Sequence, residues 1–315
     1  MKIKLTAIIM AAMLFLSACG SNGDEEKVKI GLLRIDDSIP FYVAEQEGLF
    51  KEMGVEAELI SFSSSSDQSL AMEAGELDMA MNDMIVQCLM KKNGTDTKAV
   101  ALAYGAVSEE GRFLVVAAPQ SGIYTPQDLS GKNVGISTNT MMDFLFENFE
   151  NIYGLPSSEI NKVNMPNLSL RLEAVLSGSD LQAAILPDPL AAYAVEKGCS
   201  VVIDDTALGV NLSQSVVLTT DEFINANEEQ ISKILAAYNQ AKELLNENPE
   251  KYRSLCLEIA NVPEELSASY PYPHYTADVL PAEEYVRQVV DWLVSRELIN
   301  EEYTYEDLVW GDSVE

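Results

Sequence analysis

The sequence predicts an α/β fold of two lobes with a ligand cleft between them, and three observations carry that prediction. Short β-branched runs alternate with helical stretches from residue 27 to about residue 219, which is the signature of α/β architecture. The alternation comes in two series, one beginning at Val28 and the other at Phe113. A common unit recurs in both. Met72-Glu73-Ala74-Gly75-Glu76-Leu77-Asp78-Met79-Ala80 and Ala174-Val175-Leu176-Ser177-Gly178-Ser179-Asp180-Leu181-Gln182-Ala183-Ala184 each place a helix end, a glycine and a short buried strand in succession. Two similar α/β units imply a cleft, and ligands of open α/β sheets sit outside the carboxyl ends of the strands.

Taken in order, residues 28–33 (VKIGLL) read as a strand, and 40–53 as a helix opened by Pro40 and stopped by Gly54. A strand follows at 55–61, then a serine-rich loop at 61–66. Asp67 is read as the cap of a helix running to Ala74, with Gly75 at its end. A short strand at 77–81 and a helix at 85–91 close the first series. The second series reads as a strand at 113–118, a short helix at 124–129 and a strand at 133–137. The helix at 140–153 carries Met141, Phe144, Leu145 and Phe149 on one side and ends at Gly154. A strand at 162–165, a helix at 168–176 stopped by Gly178, and a strand at 181–186 broken by Pro187-Asp188-Pro189 follow. A helix at 190–197 and strands at 201–203 and 214–219 complete the alternation. Beyond Asp221 the pattern is helical, at 228–245, 249–260, 283–296 and 305–309. That segment holds 21 acidic and 6 basic residues, read as solvated helix faces.

Composition narrows the function classes. The 315 residues carry 20 Lys+Arg against 50 Asp+Glu, a formal charge of -30, which excludes recognition of nucleic acid or of an anionic membrane face through charge. A hydrophobic fraction of 47% is enough for a full core, and the length suggests about two domains. The amino terminus has Lys2 and Lys4, an apolar run from Leu5 to Leu16, and then Leu16-Ser17-Ala18-Cys19. This is the three-part pattern of a secretory signal peptide at 1–18. Its end resembles a bacterial lipobox, which implies a diacylglycerol on Cys19 and a lipid-anchored protein on the extracytoplasmic face of the cell membrane. Residues 19–26, small and polar, form a flexible tether. Cys88 and Cys256 lie in apolar surroundings and read as buried free thiols, with an intermolecular disulfide through Cys199 as an alternative. No CxxC pair supports a metal or redox framework.

Catalytic signatures are few. His274 is the only histidine, and no GxSxG, HExxH, P-loop or GxGxxG occurs, so no cofactor and no metal is implied. The loops at strand ends carry more information. The first series offers Arg34, Asp36, Asp37, Ser38 and Phe41, then Ser63, Ser64, Ser65, Ser66 and Asp67, then Asn82 and Asp83. The second offers Ser137, Thr138, Asn139 and Thr140, then Asp188 between prolines. Ser-Thr-Asn-Thr before a helix suits an anion or polar group, because free N–H groups and hydroxyls point out of a helix start; N-capping explains Asn139 or Thr140 equally well. The pairs Asp36-Asp37 and Asp204-Asp205 read as loop caps or ligand acceptors.

Several pieces in order give the chain a family likeness. They are Val28 to Gly31 with Pro40-Phe41-Tyr42-Val43-Ala44 and Glu47-Gly48-Leu49-Phe50, then Ala74-Gly75-Glu76-Leu77-Asp78 and Asp128-Leu129-Ser130-Gly131-Lys132-Asn133-Val134-Gly135. Asp188-Pro189 with Ala191 and Ala192, and Asp291-Trp292-Leu293 with Leu298-Ile299, complete the set. With these the chain resembles the bacterial solute-binding proteins of the nitrate/sulfonate/taurine and thiamine-pyrimidine precursor family, the SsuA/TauA and NMT1/THI5-like group, over nearly all of its mature length. The resemblance implies a type II periplasmic-binding-protein fold, with lobe 1 at 27–104 plus 212–315 and lobe 2 at 107–205. Hinge crossings would lie near 105–111 and 205–210. It implies a monomer that captures a small solute, closes on it and delivers it to an ABC permease and its ATPase subunit, without chemistry of its own. A ligand-sensing lipoprotein for a membrane receptor and an enzyme on the same fold are the alternatives. A sulfonate or nitrate ligand would use Arg34, Arg112 and the 137–140 helix start. A nitrogen heterocycle or amine would use Asp36, Asp37, Asp83, Glu109 and Asp188 with Phe41, Tyr42 and Tyr104. Acids outnumber bases in these loops, which tilts the expectation toward a neutral or cationic nitrogen compound.

Overall fold

The computed structural model describes residues 27–300 and 302–311. The signal peptide, Cys19 and the rest of the tether lie outside the described residues. The first series folds as β1 (Val28–Leu33), α1 (Ile39–Glu47), α2 (Leu49–Glu52), β2 (Ala57–Phe62), α3 (Ser65–Glu73), β3 (Met79–Asp83), α4 (Met84–Lys92) and β4 (Thr97–Tyr104). The second gives β5 (Phe113–Ala117), β6 (Asn133–Ile136), α5 (Met141–Tyr153), β7 (Asn161–Asn164), α6 (Leu168–Ser177), β8 (Ala183–Pro187), α7 (Leu190–Glu196) and β9 (Ser200–Asp204). Then come β10 (Ser215–Thr220), α8 (Asp221–Glu247), α9 (Pro249–Ile259), α10 (Glu283–Ser295) and α11 (Tyr305–Leu308).

The strands form two five-stranded sheets of matching topology, in the orders β2-β1-β3-β10-β4 and β7-β6-β8-β5-β9. In the first, β1 runs parallel to β2 and β3, while β10 is antiparallel to β3 and β4. In the second, β6 runs parallel to β7 and β8, while β5 is antiparallel to β8 and β9. The chain therefore passes from the first sheet to the second after β4 and returns after β9, because β10 completes the first sheet between β3 and β4. This is the two-lobed α/β architecture expected from the repeated series.

Several elements depart from the sequence reading for identifiable reasons. The helix expected at 40–53 is split in two, since Gly48 adopts φ 75 and ends α1 before α2 begins. The cap of α3 is Ser64, whose hydroxyl accepts the Asp67 N–H at 3.1 Å, and not Asp67 itself. β3 runs two residues later than expected, to Asp83. β4 was not anticipated at all. Its Ala99, Ala101 and Ala103 have little intrinsic strand preference, and the ladder with β10 is what holds them extended. α8 starts at Asp221, capped by Thr220, and bends at Asn227, so its regular periodicity is visible only from 228.

Apolar packing follows from these layers. α1, α8 and α9 cover one face of the first sheet with Phe41, Ile231, Ile234, Tyr238, Leu245 and Tyr252. α10 belongs to both lobes. It packs on α4, while Trp292 meets Phe144 of α5 edge-on at 5.5 Å and Arg296 reaches Asp143 at 3.3 Å. Cys88, Cys199 and Cys256 are buried free thiols. Among the described residues no helix is long and apolar enough to cross a membrane.

Candidate functional site

The carboxyl ends of the parallel strands carry the polar groups, as the topology requires. Past β1 the chain makes a single 3-10 turn, Asp36–Ser38. The Tyr270 hydroxyl donates to Asp36 Oδ2 at 2.6 Å, and Tyr275 donates to the Asp36 carbonyl at 2.8 Å. Tyr104 packs its ring on Tyr275 with centroids 5.1 Å apart. Asp36 Oδ1 is buried and has no hydrogen-bond partner in the protein. Burial pushes the Asp36 carboxyl up to about 7; the Tyr270 hydrogen bond opposes this, and the charges of Asp37 and of Asp188 add to it. Burial also raises Asp37, against the nearby Ser215 hydroxyl and, from further off, Lys242.

Asp188 is supplied by the other lobe, just past β8. Its Oδ1 accepts the Ala192 N–H at 2.9 Å, and Arg112 Nη1 stands 3.8 Å from its Oδ2. Burial raises Asp188 to about 6 in spite of Arg112. The stronger claim on Arg112 is Asp204, whose Oδ2 accepts from Nε at 3.1 Å and from Nη2 at 2.6 Å. Asp205 accepts the Phe113 N–H at 2.8 Å and is also pushed up by burial, to about 7. The Asp188 carboxylate of one lobe thus lies near enough for its charge to act on Asp36 of the other, with Tyr270 bonded to Asp36 and the Arg112 guanidinium engaged by Asp204.

The sequence candidates divide accordingly. Asp36, Asp37 and Tyr104 come together around Tyr275, whose hydroxyl donates to the Asp36 carbonyl and whose ring packs on Tyr104, and the Asp188 charge acts on Asp36. Arg34 turns away and donates to the Glu258 carbonyl at 2.6 Å. Phe41 is fully buried against Tyr238, ring centroids 4.2 Å apart. Ser38 is buried. Ser64 and Ser65 begin α3. Asn82 donates to Gln68 Oε1 at 2.6 Å, and Asp83 caps α4 through the Val86 N–H at 2.9 Å, its carboxyl raised by burial to about 6. At the start of α5 three amides are already taken. Thr138 N–H goes to Asn164 Oδ1, Asn139 N–H to Asp143 Oδ2, and Met142 N–H to the Thr140 hydroxyl, while Thr140 also bonds the Ser137 carbonyl. Capping is therefore the observed role of Thr140. Sequence reasoning missed Tyr270 and Tyr275. They flank His274 in the run Tyr270-Pro271-Tyr272-Pro273-His274-Tyr275, and the His274 side chain is 69% exposed and lies 3.4 Å from Glu110.

The two crossings are fastened to one another. Glu110 is buried and accepts from the amides of Gly105 and Ala106 and from the Thr276 hydroxyl. Asn211 donates to the Val107 and Glu110 carbonyls. Gly105 sits at φ 94 with Asn211 Oδ1 2.9 Å from where a Cβ would be, so only glycine fits this point. Among the described residues, no group of three or more His, Cys, Asp or Glu side chains could hold a metal ion.

Comparison with known proteins agrees with this architecture. The aliphatic sulphonate binding protein SsuA of Escherichia coli superposes with a TM-score of 0.77 at 19% identity, over 92% of this chain and 94% of that one. A zinc-bound ligand-binding component of an ABC-type import system from Staphylococcus aureus gives 0.73 at 16% identity, over 90% and 96%. The desulfurization enzyme DSZB gives 0.69 at 13%, over 91% and 97%. At such identities these structures share the fold. No curated protein matches the chain in sequence. The family model described as NMT1/THI5 like matches residues 36–252, a span that holds both crossings, Asp36 and Asp188, and the chain belongs to that family.

Proposed function

We propose that this protein is an extracytoplasmic substrate-binding lipoprotein of an ABC importer. In this reading the signal peptide at 1–18 is removed, Cys19 carries the lipid anchor, and 19–26 tethers the domain to the cell membrane. Lobe 1 is 27–104 with 212–315, lobe 2 is 107–205, and the crossings near 105–111 and 205–210 are the hinge. The monomer captures a small polar solute and delivers it to the permease and its ATPase subunit. A ligand touching both lobes favours the closed form by its differential affinity for that form.

The observation that supports this best is the charge of Asp188 acting on Asp36 from the other lobe, with Asp36 Oδ1 buried and unpartnered. Buried carboxyls without cations are costly, and a solute that donates hydrogen bonds or carries positive charge relieves that cost. Tyr104 and Tyr270 add flat apolar surface of the kind that receives a heterocycle. With Arg112 held by Asp204, the solute favoured is a nitrogen heterocycle, such as a thiamine pyrimidine precursor, or an amine. Calorimetric titration of the mature domain, with mass spectrometry of any molecule retained through purification, tests this. Binding of an amine or aminopyrimidine, weakened in Asp36→Asn and Asp188→Asn, is expected; tight binding of alkanesulfonates or nitrate alone would overturn the preference for nitrogen compounds.

A further inference from the structure

The two lobes are joined along both faces of their sheets, and the two junctions differ in kind. Alternate strand residues show the faces. In β10, Val216 and Leu218 pack with α4 and α10, while Val217 packs with α1, α8 and α9. In β5, Val115 and Ala117 pack with α5, while Leu114 and Val116 pack with α6 and α7. On the first side α10 meets α5. Phe144 lies edge-on to Tyr285 and to Trp292, Trp292 Nε1 donates to Glu147 at 3.0 Å, and the apolar core is continuous from one lobe to the other.

On the second side the junction is polar and exposed. Between α9 and α10 the chain runs as an irregular strap, residues 260–282, interrupted by a 3-10 turn at Glu264–Leu266. Irregular segments of this length are uncommon in compact domains unless they serve a function. Arg253 of α9 anchors the strap by donating to the Tyr270 carbonyl at 2.6 Å and to the Ser267 carbonyl at 2.5 Å. Held there, the strap faces α7 twice. Tyr270, bonded to Asp36, lies within reach of the Asp188 charge, and Glu265 Oε1 accepts from Lys197 Nζ at 2.9 Å. Asp188 and Lys197 flank the two ends of α7. That short helix therefore links the acid inside the cleft to the ion pair at its edge.

Charge sets the balance on this side. Asp188 acts on Asp36 as a like charge, which pushes the lobes apart when no cation lies between them. The Lys197–Glu265 pair opposes that push. Its side chains are 37% and 51% exposed, and an exposed pair shifts an equilibrium by only about two- to five-fold. Parting the buried rings of the α5–α10 side would expose a large apolar area to water, so the lobes separate more easily at the strap.

We propose that the cleft opens on the α7 side, and that Lys197 and Glu265 form the latch that holds it shut there while the α5–α10 junction stays fixed. The proposal rests on the solute-capturing reading for its meaning and adds the side by which the solute enters.

Distances between spin labels on the full mature chain, measured without solute, test this. Labels at Glu173→Cys and Glu247→Cys span the α7 side, and labels at Asn151→Cys and Gln288→Cys span the α5–α10 side; all four positions are exposed, and the native thiols are buried. Lys197→Met is expected to raise the ratio of long to short distances across the α7 side about two- to five-fold, and Lys197→Glu to raise it further. The exchanged pair, Lys197→Glu with Glu265→Lys, should restore the wild-type ratio, and the α5–α10 distance should stay constant throughout. An α7-side ratio that Lys197→Glu leaves unchanged, no recovery in the exchanged protein, or movement of the α5–α10 labels would overturn the proposal. Failure of every solute to bind in the titration above overturns the solute-capturing reading, whereas these distances decide the latch.

Discussion

The two lobes place different chemistry on one shared design. In the first, a Cβ at Gly31 of β1 would meet Leu77 Cδ1 at 2.5 Å and Gln68 Cγ at 3.2 Å; in the second, a Cβ at Gly135 of β6 would meet Leu181 Cδ1 at 2.4 Å and Arg171 Cγ at 3.2 Å. Each glycine lets a buried side chain from the following helix cross the strand toward its carboxyl end. α3 and α6 are capped alike, by Ser64 and Asn167. The residue that crosses is what differs. Gln68 is neutral and accepts from Asn82 at 2.6 Å, while its own amide nitrogen, like Arg171 Nε, is buried without a partner. Arg171 is charged, and its acceptors are the Met165 carbonyl at 3.2 Å and the Met142 sulfur at 2.7 Å.

Filling either glycine tests the comparison most severely. Gly31→Ala and Gly135→Ala should each cost about 1–3 kcal/mol by overpacking against a leucine in the core, measured by urea denaturation. A cost at one site only would show that the lobes do not share this packing. Gln68→Met should cost about 1–2 kcal/mol, since it strands the Asn82 amide, whereas the same change at Arg171 should cost nothing, since it removes a buried charge whose acceptors are a carbonyl and a thioether. Loss of stability at both sites would make Arg171 a structural strut.

The smallest effect is on pH dependence. Asp36 and Asp188 have folded-state pKa values raised from 3.8 to about 7 and about 6. The ligand-free fold then binds more protons than the unfolded chain, so stability is fully present below about pH 4 and falls as pH rises through about 6 to 7. The melting temperature of the ligand-free protein should decline over that window. Asp36→Asn should flatten the decline, and raise the melting temperature at neutral pH by roughly 2–4 °C for each kcal/mol of charge burial relieved. Asp205 and Asp83 are raised by burial as well, so some slope should persist. A slope that the Asp36 substitution leaves unaltered would mean that burial does not raise the Asp36 carboxyl above its value in the unfolded chain.

Much of the fold was legible because it is written in local chemistry. Gly54, Gly154 and Gly178 mark ends that the chain reaches in left-handed conformations, and Thr140 caps α5 as its type suggests. The site was legible in part. Asp36, Asp37, Tyr104 and Asp188 stand at strand ends and could be listed by position, but so could Arg34, Phe41, Asn82 and Asp83, which packing commits elsewhere.

By itself, the sequence determined the two α/β series, their repeated unit and the strand-end loops, because the periodicity of a segment reports which of its own faces is buried. Tertiary structure decided the rest. Tyr270 reaches Asp36 across 234 residues, β10 returns to hold alanine-rich β4 in the first sheet, and Arg171, an ordinary basic residue of a helix in the sequence, becomes a buried charge only because Gly135 makes room for it on another strand. Hydrogen bonds and desolvation depend on which groups are brought together in space, and spacing along the chain does not encode that.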